Sequence, residues 1–564
     1  GTAGGRGEPR EEFARRFDKT VPLAAGRTLR MEHRNGSITV SAHPQRDVQI
    51  HADIRVSADN LEEATRFANE IQIEVSETPQ GIMVRTRYPQ ESRGFFGRRN
   101  TSYSVDYEIV MPEDSALAVK NSFGSVSVTG IKAGSDIDNS HGWVRVRDTG
   151  GAQQILNSFG SIELTNNAGD ATLTGNNGSV TATQVSGALT VRNRFGQVNA
   201  SRVSRAATIT NSNGGVELSD AGGGSSVTNS FGSVSVSEIR GDVTVRNGNG
   251  SVDARGIAGT ADLATTFASI SFFDVRKRLI AQGSNGSVKG TKVGESASID
   301  TSFGTVDVSD IGGALEVENT NGRILARDIR GDARLKTGFG SIEASNITGS
   351  ATVTNSNASI SLANVGGAAE VHSSFASITA KDIRRELRVI SGNGSVTATH
   401  IGGETYVKTS FGLVGAEHIG GALTVDNSNG GVRATGIQGA ATVRTSFSSV
   451  VLEGIAGSVD VDNQNGAVEI SGLTVKSGGR CNSFAVRTSF APIRIFIPEG
   501  SSINLSARTS FGKITSDLPL TVSGVMSGDA LSGTMGGGEC EVRLTNSNGG
   551  IEIRRAAAAG PARK

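Results

Sequence analysis

Valine, isoleucine, leucine and alanine fall at every second position in short runs along this chain, and the runs return with a fixed metre. The clearest copy is Asn229 to Arg246, Asn-Ser-Phe-Gly-Ser-Val-Ser-Val-Ser-Glu-Ile-Arg-Gly-Asp-Val-Thr-Val-Arg. Val234 and Val236 alternate with serines, and Val243 and Val245 with Asp242, Thr244 and Arg246. That period of two marks strands with one buried face. Between the runs, Asn229-Ser230-Phe231-Gly232 and Ile239-Arg240-Gly241 carry the Asn and Gly that tight corners use. The pattern predicts two short strands and two corners in each eighteen residues.

The corner glycine, or an Ala or Ser in its place, stands at 124 and at every eighteenth residue as far as 466, twenty units without insertion or deletion. Loops of globular domains tolerate length changes, so a phase kept this long implies units stacked directly on their neighbours. The expected fold is all-β: a parallel β-solenoid of 18-residue two-strand coils, about twenty of them regular, with irregular coils at the C-terminal end and a small N-terminal α+β cap. One coil could not stand alone. Burying its five or six apolar side chains contributes roughly 10 kcal/mol, whereas ordering its residues costs on the order of 20 kcal/mol or more, so neighbouring coils must supply the rest.

The third corner residue alternates. Phe123, Phe159, Phe195, Phe231, Phe267, Phe303, Phe339, Phe375, Phe411 and Phe447 take turns with Asn, or with His141 in the second unit. Either a coil is eighteen residues and the two types alternate up one edge, or it is thirty-six and each type has its own column; ladders of like on like favour the longer coil. Two observations favour the shorter. The inward column that holds Ala182, Ala200, Ala254 and Ala326 suits two sheets packed roughly 10 Å apart. The outward column Lys408, Asp426, Arg444, Asp462 alternates in sign only in eighteen-residue coils, and like charges directly opposite are destabilising. The Phe residues are expected to form a buried structural ladder along one edge; exposed, they would be an apolar stripe of the kind that marks interaction sites.

In chain order, residues 1–16 read as a flexible leader and 17–118 as the α+β cap. Its strands are expected near 27–34, 37–42, 47–56, 71–77, 81–88 and 102–111, and its helix over 61–71 behind a capping box of Asp59 and Glu62. Such a cap would cover the open strand edge of the first coil. The regular solenoid occupies 119–472, irregular coils and a C-terminal cap 473–553, and a disordered tail 554–564. His141 and Trp143 break the consensus and are expected at the seam between cap and solenoid. Insertions near 473–482 and 515–540 should bulge from a corner or fold over the last coils.

Composition narrows the partners. With 55 basic and 55 acidic residues the net charge is zero, which argues against nucleic acid as a main partner. No apolar run is long enough to cross a bilayer as a helix. Cys481 and Cys540 are the two cysteines; they are either a disulfide, which suits an oxidising compartment, or two buried thiols. The chain does not begin with Met, so a signal peptide is taken as removed and the location as secreted, cell-surface or envelope.

Candidate chemistry is sparse. Asp274, Asp310 and Asp328 share one corner column, with Asp307 nearby, and paired carboxylates can serve glycoside hydrolysis. Asp before an Ile-x-Gly corner is equally ordinary turn chemistry, and no aromatic sugar platform adjoins it, so an enzyme is not expected. Asn-x-x-Gly corners supply amides where calcium-bound β-rolls supply carboxylates, and no cofactor is expected. Residues 92–100 combine Arg93, Phe95, Phe96, Arg98 and Arg99, a candidate loop for contact with an anionic glycan or a neighbouring subunit. Outward Thr172, Thr190, Thr208 and Thr244 suggest an ice-binding face, but Asp262, Glu316, Arg334 and Arg388 interrupt the column.

Paired strands, a helix, the stop Met111-Pro112-Glu113-Asp114 and then tandem Asn-x-x-Gly-x-Val-x-Val-x-x-Ile-x-Gly units resemble the bacterial putative-adhesin family of β-strand-repeat proteins of unknown function. The resemblance covers nearly the whole chain. It implies a surface or envelope location and no established ligand; more numerous and more regular coils than a short member point to a structural role. The expected function is a non-enzymatic extracellular or cell-envelope β-solenoid acting as adhesin, rigid spacer or fibre-forming subunit. Its partners would be other copies of itself, end to end or lateral, or a surface glycan or protein. The alternatives are a polysaccharide-active β-helix enzyme and a scaffold subunit of a secreted complex.

Overall fold

The computed structural model describes residues 10–90, 101–524 and 527–556. The candidate contact residues Arg93, Phe95, Phe96, Arg98 and Arg99 lie outside them, as do residues 1–9 and 557–564 of the expected leader and tail. The chain divides into two compact units, Gly1–Lys277 and Arg278–Lys564, and each is built from the eighteen-residue coil.

In one coil, Val234–Ile239 and Val243–Asn247 are the two strands. Val234, Val236, Ile239, Val243 and Val245 are each at most 1 % exposed. Alternation is interrupted once: Ser237 and Glu238 both face outward before Ile239 turns in. Glu238 is left-handed (φ 54°), and this single bulged residue returns Ile239 to the core while bending the strand into its corner. The same position is left-handed in coil after coil, as Asp148, Asn166, Asp220, Asp310, Asp328 and Asn346 show. Asp and Asn tolerate that conformation best among residues with a side chain. At the opposite corner Gly232 has φ 111°, and a Cβ there would sit 2.4 Å from the Gly214 carbonyl oxygen of the coil beneath.

Register settles the coil length at eighteen. Val234 pairs in parallel with Val252 and Ile239 with Ile257 in one sheet, and Val245 with Leu263 in the other. In the second unit Val306 pairs with Ile324 and Leu315 with Ala333. Lys408 lies opposite Asp426 and Arg444 opposite Asp462, so the outward charges alternate up the face.

The N-terminal end is not laid down in chain order. Thr28–Asn35 and Ile38–His43 pair in parallel with Ala116–Phe123 and Val126–Thr129, so residues 28–43, expected inside the cap, already form a coil. Their other edges pair in parallel with Gly81–Arg87 and Ser102–Pro112. Outside these, Gln72–Thr78 and Asp47–Ala58 add antiparallel strands, and Glu11–Pro22 adds another beyond Asp47–Ala58. The leader expected over 1–16 is thus a strand from Glu11, because Phe13, Arg15 and Phe17 alternate toward a half-buried face. The helix Leu61–Glu70 is capped by Asn60, one residue from the expected Asp59, and the Asn60 side chain accepts from the Glu63 amide at 2.8 Å. It buries Ala64 and Ala68, and Arg15 closes its C-terminal turn by donating to the Ala68 and Ile71 carbonyls at 2.9 and 2.5 Å.

The C-terminal end mirrors this logic. Phe484–Thr488 and Ile493–Ile497 continue the coils, but the next rung in space is Cys540–Asn546 with Ile551–Arg555. Ile503–Arg508 and Ile514–Ser516 pair on its far side, covered in turn by antiparallel Ala530–Met535 and Thr521–Val522. The segment around 473–482 becomes a hairpin of Lys476–Ser477 and Arg480–Cys481, and Cys481 is disulfide-bonded to the fully buried Cys540. Arg494 donates to Glu469 at 3.0 Å and Glu552 at 3.2 Å, tying the return rung to the coils before it. Arg554 and Arg555 belong to the last strand and not to the tail.

Candidate functional site

Within each unit the Asn-Ser-Phe-Gly corner stacks into an edge of three columns. The first is polar and buried. Asn or Thr side chains there donate to the backbone carbonyl at the corner of the preceding coil: Asn157 to Gly142 and Asn247 to Gly232, both at 2.8 Å, Thr337 to Gly322 at 3.0 Å, Asn427 to Gly412 at 2.8 Å, Thr445 to Gly430 at 2.9 Å. Each bond adds a side-chain tie between one coil and the next at the corner end of a strand, and gives that buried donor a partner.

The third column carries the phenylalanines, and the expected buried ladder is overturned. From Phe123 to Phe447 these side chains are 42 to 64 % exposed, as are Phe490 at 64 % and Phe511 at 84 %. The physical reason lies in the first column: Asn and Thr plug the edge of the sandwich with hydrogen-bonded groups, so the ring two residues on is turned out over the corner. The Asn of the intervening coils stays short and folded back; Asn249 and Asn357 donate to the Ser230 and Gly338 carbonyls at 3.4 Å. The edge therefore alternates an exposed ring with a shallow polar notch, and two coil steps of about 4.8 Å set the period.

His141 and Trp143 lie on this edge and not in a packed seam. The His141 ring stacks between Phe123 and Phe159, with centroids 4.7 and 4.8 Å away and interplanar angles of 17° and 12°. Ring faces there are turned to neighbouring coils and ring edges outward. Trp143, half exposed, lies under the Arg145 guanidinium at 4.8 Å.

At the C-terminal end the order of rings and amides follows space, not sequence. The Asn548 amide donates to the Ser489 carbonyl at 2.6 Å and the Phe511 amide to the Ser547 carbonyl at 2.9 Å, so the spatial order is Phe490, Asn548, Phe511. Asn546 and Thr509 keep the first-column bonds on this rethreaded path, to the Ala491 and Gly549 carbonyls at 2.8 and 2.9 Å. At the other end Asn35 lies beside Phe123.

The remaining candidates have other occupations. Asp310 and Asp328 take the left-handed corner position; Asp310 faces Arg330 at 3.4 Å, Asp328 accepts from the Asn346 amide at 2.8 Å, and Asp307 pairs with Arg327 at 2.8 Å. Asp274, at the same corner position, is left-handed with φ 60°. Sequence reasoning missed His400 and His418, whose eighteen-residue spacing stacks them at 5.0 Å in an open groove of about 800 Å³ that also includes Asp382, Arg384 and Gln438. His400 Nδ1 is 3.2 Å from Asp382. Among the described residues no group of three or more His, Cys, Asp or Glu is placed to hold a metal ion, and no helix is long and apolar enough to cross a membrane.

No family model matches the chain, and no curated protein does. Among solved structures it is similar to "a putative cell adhesion protein" from Clostridium sporogenes, with 9 % identity, 52 % of this chain and 99 % of that one covered, and a TM-score of 0.13. It is also similar to "a putative adhesin" from Bacteroides fragilis, with 11 % identity, 53 % and 97 % covered, and a TM-score of 0.13. At that TM-score the likeness carries no weight for function.

Proposed function

We propose that this chain is a non-enzymatic β-solenoid of the cell surface or extracellular space, serving as an adhesive or structural subunit that makes its contacts through the Phe edge. The observation that carries the reading is the exposed Phe column of each unit, which places apolar surface at a fixed interval on a scaffold of paired strands. The Cys481–Cys540 disulfide suits an oxidising compartment. The aspartates that a polysaccharide-active enzyme would use are engaged in corner geometry and ion pairs. Fractionation of the source cells with maleimide labelling tests it: recovery from the envelope or medium, with both cysteines labelled only after reduction, is the expected result. Recovery from the reducing cytosol, or turnover of a polysaccharide by the purified chain, would refute it.

A further inference from the structure

We infer that two copies of this chain pair laterally along the Phe edge, the rings of one copy seated in the Asn notches of the other; this rests on the structural reading above and names its partner. The argument begins with what packing permits. Phe123, His141 and Phe159 stack on three successive coils, so a ring on every rung is sterically allowed. Alternation is nevertheless kept in space where chain order breaks it, since the return rung sets Asn548 between Phe490 and Phe511. A feature that packing does not demand, and that holds across a rethreaded end, belongs to the surface.

Only a partner with the same interval can fill successive notches together, and a second copy has it by construction. Electrostatics does not oppose the contact. Within the second unit no charged residue precedes the ring or amide in any corner, and two positions after it only Arg323 and Lys513 are charged. Each ring presents on the order of 120 Å², so those from Phe303 to Phe511 offer roughly 800 Å², close to one partner's share of a standard interface. Sugar stacking fits less well, because the ring faces at Phe123, His141 and Phe159 are turned to neighbouring coils.

Sedimentation velocity of the full chain over a range of concentrations tests the pairing. The wild type should shift toward a dimer as concentration rises. Phe375→Ser with Phe411→Ser should move that shift to at least roughly tenfold higher concentration. Asn357→Phe, Asn393→Phe and Asn429→Phe together fill the notches while adding apolar area, and should also weaken association. A wild type that stays monomeric throughout, or a notch-filled chain that associates more strongly, would overturn the inference. Neither result touches the fractionation outcome, so this pairing can fail while the surface assignment stands.

Discussion

Asn548 sits on the rung beside Phe490, its backbone amide 2.6 Å from the Ser489 carbonyl, although Phe511 comes between them in the chain. The last segment has slipped under a rung already laid, so Ile503–Arg508 rests on Cys540–Asn546 and not on Phe484–Thr488. A chain ended after Gly538 therefore loses more than its last residues. Residues 503–535 lose the strand that carries their ladder, and their amides should exchange near the rate of an unstructured peptide, while the coils before 473 keep their protection. Hydrogen exchange by mass spectrometry reads this out; protection of 503–508 retained in the truncated chain would show that the return rung is not its support.

The disulfide guards the same rung. Cys540 opens the inserted strand and Cys481 lies in the hairpin beyond the regular coils, 59 residues away in sequence. Closing a loop of that length in the unfolded chain is worth about 4 kcal/mol. Cys481→Ser with Cys540→Ser should lower the stability of the C-terminal rungs by that order and leave the first unit unchanged, because stacked repeats feel chiefly their neighbours. Limited proteolysis, with first cuts moving to 503–540 in the double variant, checks it.

How far the sequence carried can be judged at particular residues. Val234, Val236, Ile239, Val243 and Val245 were legible as core because each coil repeats one environment, and the sign alternation of Lys408, Asp426 and Arg444 chose the eighteen-residue coil correctly. The direction of Phe231 was not legible. Period-two alternation stops at a corner, and whether the ring turns in or out depends on Asn229 filling the edge first. The rethreaded ends were hidden because register between distant segments leaves no local pattern. One trace existed: Phe490 and Phe511 follow each other before Asn548, a break in alternation that only an out-of-order rung repairs. The carboxylate column was legible as turn chemistry, and the left-handed angles of Asp310 and Asp328 supply the reason.

The N-terminal coil carries a titratable core group. His33 is 6 % exposed, its ring edge-on to Tyr107 at 5.0 Å and its Nδ1 3.0 Å from the Thr86 hydroxyl. Burial pushes its pKa down from 6.5 to about 4, with the Val105 backbone and Asp106 only partly opposing this. The unfolded chain then binds the proton more readily than the folded one. Stability is complete above pH 6.5 and falls as pH drops toward 4, by on the order of 3 kcal/mol. His33→Phe should flatten that part of the profile for the N-terminal coils. Denaturant midpoints followed by Tyr fluorescence across the interval check it, and an unchanged slope in the variant would assign the pH dependence elsewhere.

The first-column ladder makes a prediction whose order matters more than its size. Asn427, fully buried, donates to the Gly412 carbonyl at 2.8 Å and accepts from the Gly430 amide at 3.0 Å, whereas Thr445 donates once, to the Gly430 carbonyl at 2.9 Å. Thr409 and Thr445 flank Asn427 and make the same kind of carbonyl bond, so Asn427→Thr keeps a donor and should cost least. Thr445→Val loses one bond at nearly constant shape and should cost about 1 kcal/mol. Asn427→Ala leaves the Gly430 amide and the Gly412 carbonyl without their side-chain partner beside a cavity, and should cost roughly 2 to 3 kcal/mol. Exchange protection of the strands Leu423–Asn427 and Val432–Ile437 ranks the three. If Asn427→Ala and Asn427→Thr fell together, the coils would be held by their strands alone, and the corner that turns each Phe outward would have some other origin.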